Sequence, residues 1–467
     1  MLFPGKRIHI VGVGGFGMSA IARVLLQQEY QVSGSDLQAN TFTRELAALG
    51  AVIHIGHAAE NVTGAELVVI SSAIPADNPE VVAARAAQIP VLRRRDMLGE
   101  LMMQKIGVAV AGTHGKTTTT AMITHLLLEA GHDPTYIIGG VLRSTGTNAG
   151  VGRGDHFVIE ADEYDRMFLG LRPKIAVVTN IEHDHPDCYP TLDNMVQAFE
   201  LFIERLPEQG LLIVCADDTM ARRLGELRCA AGSPTVFYGL TGLSGAEGDW
   251  FADDIQPDDR GGMRFTVRRG DEQAGPVRVN LPGRHNVQNA LAALAVTHQL
   301  GLSLEQAATA LDTFPGTGRR SEPMGTAGGV TVINDYAHHP TEIRVTLAAQ
   351  REQPGVNRLW AVWQPHTYGR LRTLANDFAQ AFAAADHVLV TDVYSVRENP
   401  APGLDGAGIV AMIATAGHAD ARYTGSLEAT AAILAEHVRP GDRVVLLSAG
   451  DAPQIGERLL RHLGAGS

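Results

Sequence analysis

At 467 residues the chain has length for about three domains. It is 45% hydrophobic and 19% charged, and its net charge of −13 excludes a broad basic face for a nucleic acid polymer, so any phosphate must be held locally. No apolar run approaches the roughly 20 residues of a membrane span, residues 1–7 leave no room for a signal peptide, and Cys188, Cys215 and Cys229 lack metal-ligand spacing; together these predict a protein of the reducing cytoplasm with no membrane partner.

Residues 8–17, Ile-His-Ile-Val-Gly12-Val-Gly14-Gly15-Phe-Gly17, read as a strand entering a GxGxxG turn, which an apolar-periodic helix continues from Met18 to Gln28. A second strand over 31–36 ends on Asp36. This spacing predicts a dinucleotide-type unit in which the glycines admit a pyrophosphate and Asp36 meets a ribose or base. NAD, a flavin and a nucleotide sugar satisfy it equally. The apolar run 67–70 ends on Ser71 and Ser72, as expected of a parallel strand with a ligand at its C-terminus. Gly12, Gly14, Gly15, Gly17, Asp36 and Ser71 form the first candidate set. His54 and His57 suit phosphate contacts or plain loop positions equally, and Arg93-Arg94-Arg95 reads as a solvated face before the next domain.

The chain is organised around Val108-Ala-Val-Ala-Gly112-Thr113-His114-Gly115-Lys116-Thr117-Thr118. A buried strand, a glycine loop and a helix start aim backbone N–H groups and an ammonium at one anion. Lys116 is predicted to reach β/γ-phosphates and the Thr117 hydroxyl a magnesium ion. Val110 stands where the usual spacing has a glycine, so the loop is a shortened variant. Strand 157–160 then ends on Glu160, with Asp162 and Glu163 behind it, and 175–179 leads into Asn180, Glu182, His183, Asp184 and His185. Hard oxygen and imidazole donors on neighbouring strand ends beside a phosphate loop suit metal-bound ATP.

Leu211–Cys215 is another buried strand, and Asp217 and Asp218 after it read as capping or loop residues. The alternating pieces over 249–282 predict a small antiparallel sheet appended to the domain. Gly283-Arg-His-Asn286 opens an alanine-rich helix whose first-turn side chains either cap it or touch a base or ribose. Phe314–Arg320 reads as a linker from which Arg319 or Arg320 reaches back to a triphosphate. Strand 330–335 ends on Asp335 ahead of His338 and His339, and 358–363 leads to His366 and the basic loop of Arg370 and Arg372. Strands over 387–391 and 443–448 complete a third α/β unit. Glu398–Gly403 reads as a loop because its two prolines block helix and central strand.

In four stretches, in order, these residues resemble the Mur ligase family: Gly12–Met18, Gly112–Thr118, Gly283–Asn286 and Asp335–Glu342. The last stretch is the most specific to the alanine-adding member. The resemblance covers essentially the whole chain and implies an α/β protein of three domains. These are a Rossmann-like N-terminal domain for a UDP-sugar (1–105), a central P-loop ATPase-type domain with a small antiparallel sheet (106–315), and a Rossmann-like C-terminal domain for an amino acid (316–467). It further implies ATP with Mg2+, phosphorylation of the lactyl carboxylate of UDP-N-acetylmuramate, and attack of L-alanine on the acyl phosphate, a step in making peptidoglycan precursors.

Carried over by motif, Lys116 steadies the transferring phosphoryl group, while Thr117, Glu160 and His185 are metal ligands; Lys116, Glu160 and His185 make the catalytic set. Gly112–Thr118, Asn289, Arg319 and Asp335 are implied for ATP, and His339, His366 and Arg370 for the amino acid. Thr367 stands where some members have arginine after the Gln-Pro-His stretch, and no lysine closely follows His185, so no modified lysine is assumed. His338 and His339 are both candidates for the base that deprotonates alanine. The rival readings are a murein-recycling ligase adding a tripeptide to the same sugar nucleotide, a nicotinamide oxidoreductase built on Gly12–Gly17, and a P-loop switch protein. Assembly stays open, an oligomer included.

Overall fold

The computed structural model describes residues 4–103, 105–240, 248–270, 272–395 and 403–465. They build three sheets. The first has five parallel strands, β1 (Arg7–Val11), β2 (Gln31–Asp36), β3 (Val52–Ile55), β4 (Leu67–Ile70) and β5 (Val91–Arg93), in the order β3-β2-β1-β4-β5. The order reverses between β1 and β4, which is where a parallel sheet opens a crevice beyond its strand C-termini. Gly12 and Ser71 follow those two strands directly.

The second sheet contains β6 (Ile106–Ala111), β7 (Thr135–Leu142), β8 (Thr147–Gly150), β9 (His156–Glu160), β10 (Ile175–Val178), β11 (Leu211–Cys215), β12 (Thr235–Gly239), β13 (Trp250–Pro257), β14 (Met263–Arg269) and β15 (Glu272–Val279). Its order is β15-β14-β13-β12-β11-β10-β6-β9-β7-β8. Val108 to Ala111 are fully buried, as a strand covered on both faces must be. The alternating pieces after Asp249 do form an antiparallel β13–β14–β15 array. They are not a separate sheet, however: Trp250 pairs in parallel register with Tyr238, so ten strands are continuous, with both rings buried.

The third sheet orders β16 (Glu322–Ala327), β17 (Val330–Asp335), β18 (Leu359–Trp363), β19 (His387–Thr391), β20 (Ala421–Gly425) and β21 (Arg443–Leu447) as β16-β17-β21-β18-β19-β20. Only β16 is antiparallel. The predicted loop Glu398–Gly403 lies outside the described residues except for Gly403.

How the sheets are joined matters for function. A single apolar core runs from the first sheet into the second, with Met97, Leu98 and Leu101 of the helix Arg94–Met102 in one cluster with Phe168 and Leu171. The third sheet's apolar clusters contain no residue of the first two. It meets the second through ion pairs and hydrogen bonds without a shared apolar core, the kind of joint that permits relative motion. The stretch 314–320 is less free than a linker. Phe314 is fully buried, Gly318 N donates to Val141 O (2.9 Å), and Thr317 bridges to Leu142.

Candidate functional site

The phosphate loop leaves β6 and enters the helix Lys116–Glu129. Two glycines make this turn possible. Gly112 has φ +140°, and a Cβ there would lie 1.9 Å from Thr179 Oγ1; Gly115 has φ +81°, with a Cβ 2.5 Å from Asn289 Oδ1. Neighbouring strand ends hold the loop: His114 N donates to Asn180 Oδ1 (2.8 Å) and Thr113 Oγ1 to Glu182 O (3.0 Å). Lys116 Nζ donates to Gly112 O (2.6 Å) and Thr113 O (3.1 Å) and pairs with Glu163 at 2.8 Å. Burial opposes its charge, but Glu163 and Glu160 outweigh burial and raise its pKa.

Glu160, at the end of β9, accepts from Gly139 N (2.7 Å) and from the Thr117 hydroxyl. Burial nevertheless pushes its pKa up, against Lys116 and Thr117. His185 has φ +53° and turns Nε2 to within 3.6 Å of Glu163 and 3.7 Å of Asp184. Burial disfavours its charge; Glu163 and Asp184 win and raise its pKa.

The third sheet's domain closes this region through charged pairs. Arg370 grips Asp184 with Nε (2.9 Å) and Nη2 (3.2 Å), both side chains about 5% exposed. Burial works against Asp184's charge, yet Arg370 holds its pKa well below the carboxylate range. His114 sits between Glu182 (Nε2, 3.0 Å) and Glu342 (Nδ1, 3.3 Å). Burial lowers its pKa, but the two carboxylates more than reverse this and hold it up at about 9. His339 caps the helix Pro340–Arg351 and has Nδ1 3.6 Å from Glu182; burial and the charge of His114 bring it down to about 4. His366 is likewise brought to about 4 by burial and by the His338 and Arg370 charges, leaving its imidazole neutral near pH 7.

Two cavities lie in this region. One, of about 250 Å³, is lined by His114, Gly115, Thr118, Asn180, Asn289, Arg320 and Asp335 among others. The second, of about 970 Å³, lies between Asp162 and His185 on one side and His366 and Arg370 on the other. Glu163 links the two sides, 2.8 Å from Lys116 Nζ and 3.6 Å from His185 Nε2.

At the first sheet the glycine turn forms, but its side chains are engaged with each other. Asp36 Oδ2 accepts from Gly14 N (2.8 Å), so its carboxylate folds back on the turn instead of standing free for a ribose. A Cβ on Gly14 would meet Asn40, and one on Gly17 would meet the Arg94 guanidinium at 2.4 Å. Gly12 has φ +80°, Gly15 N donates to Gly12 O (3.2 Å), and Ser71 Oγ accepts from Ala73 N (3.3 Å).

Several expectations need correction. Arg319 does not line the nucleotide cavity: with φ +61° it turns away, and its Nη2 donates to Ser448 O (2.7 Å) and Gly450 O (3.0 Å). Arg320 lines it instead. Arg94 is no solvated residue; it stands between Gly17 and Asp162, 4.0 Å from the latter. Asp218 caps the helix Thr219–Ala230 as expected, but both it and Asp217 line the cavity, where Asp217 accepts from Gln288 Nε2 (2.8 Å). His57 is tied to Glu80 (2.9 Å), which also accepts from Ser35 Oγ (2.6 Å) and Asn61 Nδ2 (2.6 Å). That buried node, like Glu342, carried no local signal in the sequence.

Comparison with known proteins gives three family matches: the Mur ligase family catalytic domain over residues 7–106, the Mur ligase middle domain over 110–297, and the Mur ligase glutamate ligase domain over 319–450. The UDP-N-acetylmuramate–L-alanine ligase of Syntrophotalea carbinolica is 46% identical over 459 residues, 98% of each chain. That of Rubrobacter xylanophilus is 44% identical, covering 98% of this chain and all of its own. Among solved structures, the UDP-N-acetylmuramate–alanine ligase of Thermotoga maritima superposes with TM-score 0.79 at 29% identity, over 99% of this chain and all of that one. A murein peptide ligase from Psychrobacter arcticus gives 0.69 at 28%, over 98% of this chain and 99% of its own.

Proposed function

The chain belongs to the Mur ligase family, and on that premise we propose that it joins L-alanine to the lactyl carboxylate of UDP-N-acetylmuramate with the energy of ATP. The observation that carries the reading is the cavity between His185 and His366–Arg370, which lies one ion pair from Lys116 and so sets an acceptor space beside a phosphate loop. In this reading ATP lies against Gly112–Thr118, Asn289, Arg320 and Asp335, the sugar nucleotide at Gly12–Gly17, and the amino acid near His366 and Arg370.

Magnesium fits the donors present. Thr117 and Glu160 offer hard oxygens, and Glu160 is a half-buried carboxylate whose charge desolvation disfavours, a site that a cation relieves. Thr117, Glu160 and His185 would hold it, and it would neutralise charge on the phosphates.

A carboxylate is a poor electrophile until one oxygen becomes a leaving group. Phosphoryl transfer to that oxygen needs positioning and charge neutralisation more than covalent help. Lys116 and Arg320 supply positive charge at the loop. The amine of L-alanine then attacks the acyl carbon. The C–N bond forms, the C–O bond to phosphate breaks, and the ammonium proton leaves to a base; amide, ADP and phosphate are released. His366 offers a neutral imidazole to the arriving ammonium and adds no repulsive charge.

The test is phosphate release from Mg-ATP with UDP-N-acetylmuramate, comparing L-alanine, the murein tripeptide and no acceptor. Release that requires L-alanine, with the amide product confirmed by mass, supports the proposal. Release only with the tripeptide moves the enzyme to murein recycling, and release indifferent to sugar and acceptor removes the ligase reading.

A further inference from the structure

His114, Glu182 and His339 converge from the phosphate loop, the end of β10 and the cap of the helix Pro340–Arg351, with one donor atom from each within 4.8 Å of the others. We propose that these three side chains form a binding site for one Zn2+-like ion, separate from the magnesium of ATP, which clips the third sheet's domain to the phosphate loop.

The three donor atoms lie close enough together to share one ion. Metal–ligand bonds of about 2.0–2.2 Å at tetrahedral angles require donor atoms about 3.4 Å apart. His114 Nε2 lies 3.0 Å from Glu182 Oε2, and His339 Nδ1 lies 3.6 Å from the same oxygen. The two ring nitrogens lie within 4.8 Å of each other, and drawing them together completes the set around one ion. The far nitrogen of each ring faces an oxygen, through an ion-pair contact without a hydrogen bond at His114 Nδ1 and through a hydrogen bond at His339 Nε2. Glu342 Oε1 lies 3.3 Å from His114 Nδ1, and His183 O lies 3.4 Å from His339 Nε2. Ligating histidines are held in this way, which fixes the ring and strengthens the donor. The ion displaces the proton between His114 and Glu182 and the 3.3 Å bond that His339 Nδ1 accepts from Thr341 N.

Two imidazoles and one carboxylate favour zinc, or cobalt as its spectroscopic substitute, over magnesium, and they leave the fourth position open. Because His339 belongs to one side of the polar joint and His114 and Glu182 to the other, occupancy ties the domains together. A chain that must open to release product is slowed by such a clip.

The experiment titrates Co2+ into the full-length protein under excess Mg2+ and reads the visible spectrum, then displaces the ion with Zn2+. One equivalent with the intense bands of four-coordinate cobalt is expected. E182Q and H339Q should each weaken this binding by at least about tenfold, while H185Q, which alters the candidate magnesium site, retains it. Thermal melts check that the variants fold, and E182Q decides alone if H339Q does not. Only the faint bands of six-coordinate cobalt, a signal that survives in a folded E182Q, or a signal lost in H185Q but not in E182Q would each overturn the proposal. No turnover is read, so the outcome is independent of the ligase reading.

Discussion

Replacing Arg370 by methionine tests how the third sheet's domain is held. Arg370 and Asp184 stand on opposite sides of the joint, their side chains 6% and 5% exposed. In R370M the docked Asp184 keeps only the His185 backbone N–H at 2.7 Å and the His185 ring at 3.7 Å. Removing one partner of a buried pair costs about 3–5 kcal/mol. At 1.36 kcal/mol per tenfold, the docked-to-open ratio should fall by roughly two to nearly four powers of ten. Undocking returns Asp184 to water, so the cost falls on the joint and not on the folding of either domain. Small-angle scattering of the ligand-free protein should therefore show a larger radius of gyration for R370M, with unchanged far-ultraviolet circular dichroism. The double variant D184N/R370M should recover most of the compaction, because a neutral amide beside methionine carries no stranded charge. Activity is not the readout, since Arg370 is also a candidate contact for the amino acid. A compact R370M, or a double variant as open as R370M, would refute the reasoning.

Two further outcomes follow from the same geometry. K116A strands the buried Glu163 and removes the loop's ammonium; turnover should fall by at least about a thousandfold, while calorimetry finds UDP-N-acetylmuramate affinity within about threefold, because the glycine turn belongs to another sheet. Equal loss of both would undo that division of labour. His114, raised from an ordinary 6.5 to about 9, contributes stability that is complete below pH 6.5 and lost as pH rises through 9. The thermal midpoint should fall over that interval in wild type and less in H114N; Glu182, lowered to about 2, loses its contribution only as pH falls below the ordinary carboxylate range and does not interfere. Parallel profiles for the two proteins would show that the pair contributes nothing to docking.

What could be read from the sequence was what is local in the chain. A buried strand, two glycines, a lysine and a threonine occur within a dozen residues, and their geometry follows from backbone rules. The carboxylates at Glu160 and Glu182 follow buried apolar runs, so their strand-end positions were legible too. The choice between Arg319 and Arg320 was not, because it rests on the fold: Arg319, at positive φ, donates to Ser448 O, while Arg320 lines the cavity. Arg94 looked solvated because its partners, Gly17 and Asp162, lie far from it in sequence. Glu342 closes the capping box of its own helix by accepting from His339 N (3.4 Å), and it also accepts from His338 N (3.0 Å). Its second role, toward His114, exists only across the joint.

The contrast between the two joints is itself an argument about mechanism. The first and second sheets share apolar side chains, and parting them would expose that surface at about 25 cal/mol per Å². The second and third meet through the ion pairs Asp184–Arg370 and His114–Glu342 and through the contact of His339 with Glu182, groups that regain water when separated. Desolvation and Coulomb attraction nearly cancel in such pairs, so docking can be tight while the free-energy difference between open and closed stays small. A ligase needs that property where the amino acid enters and the amide leaves. It does not need it where the sugar nucleotide is held. On the proposed function, the apolar joint would keep Gly12–Gly17 in fixed relation to Lys116 through Arg94–Met102, and the polar joint would let His366 and Arg370 move with the third sheet.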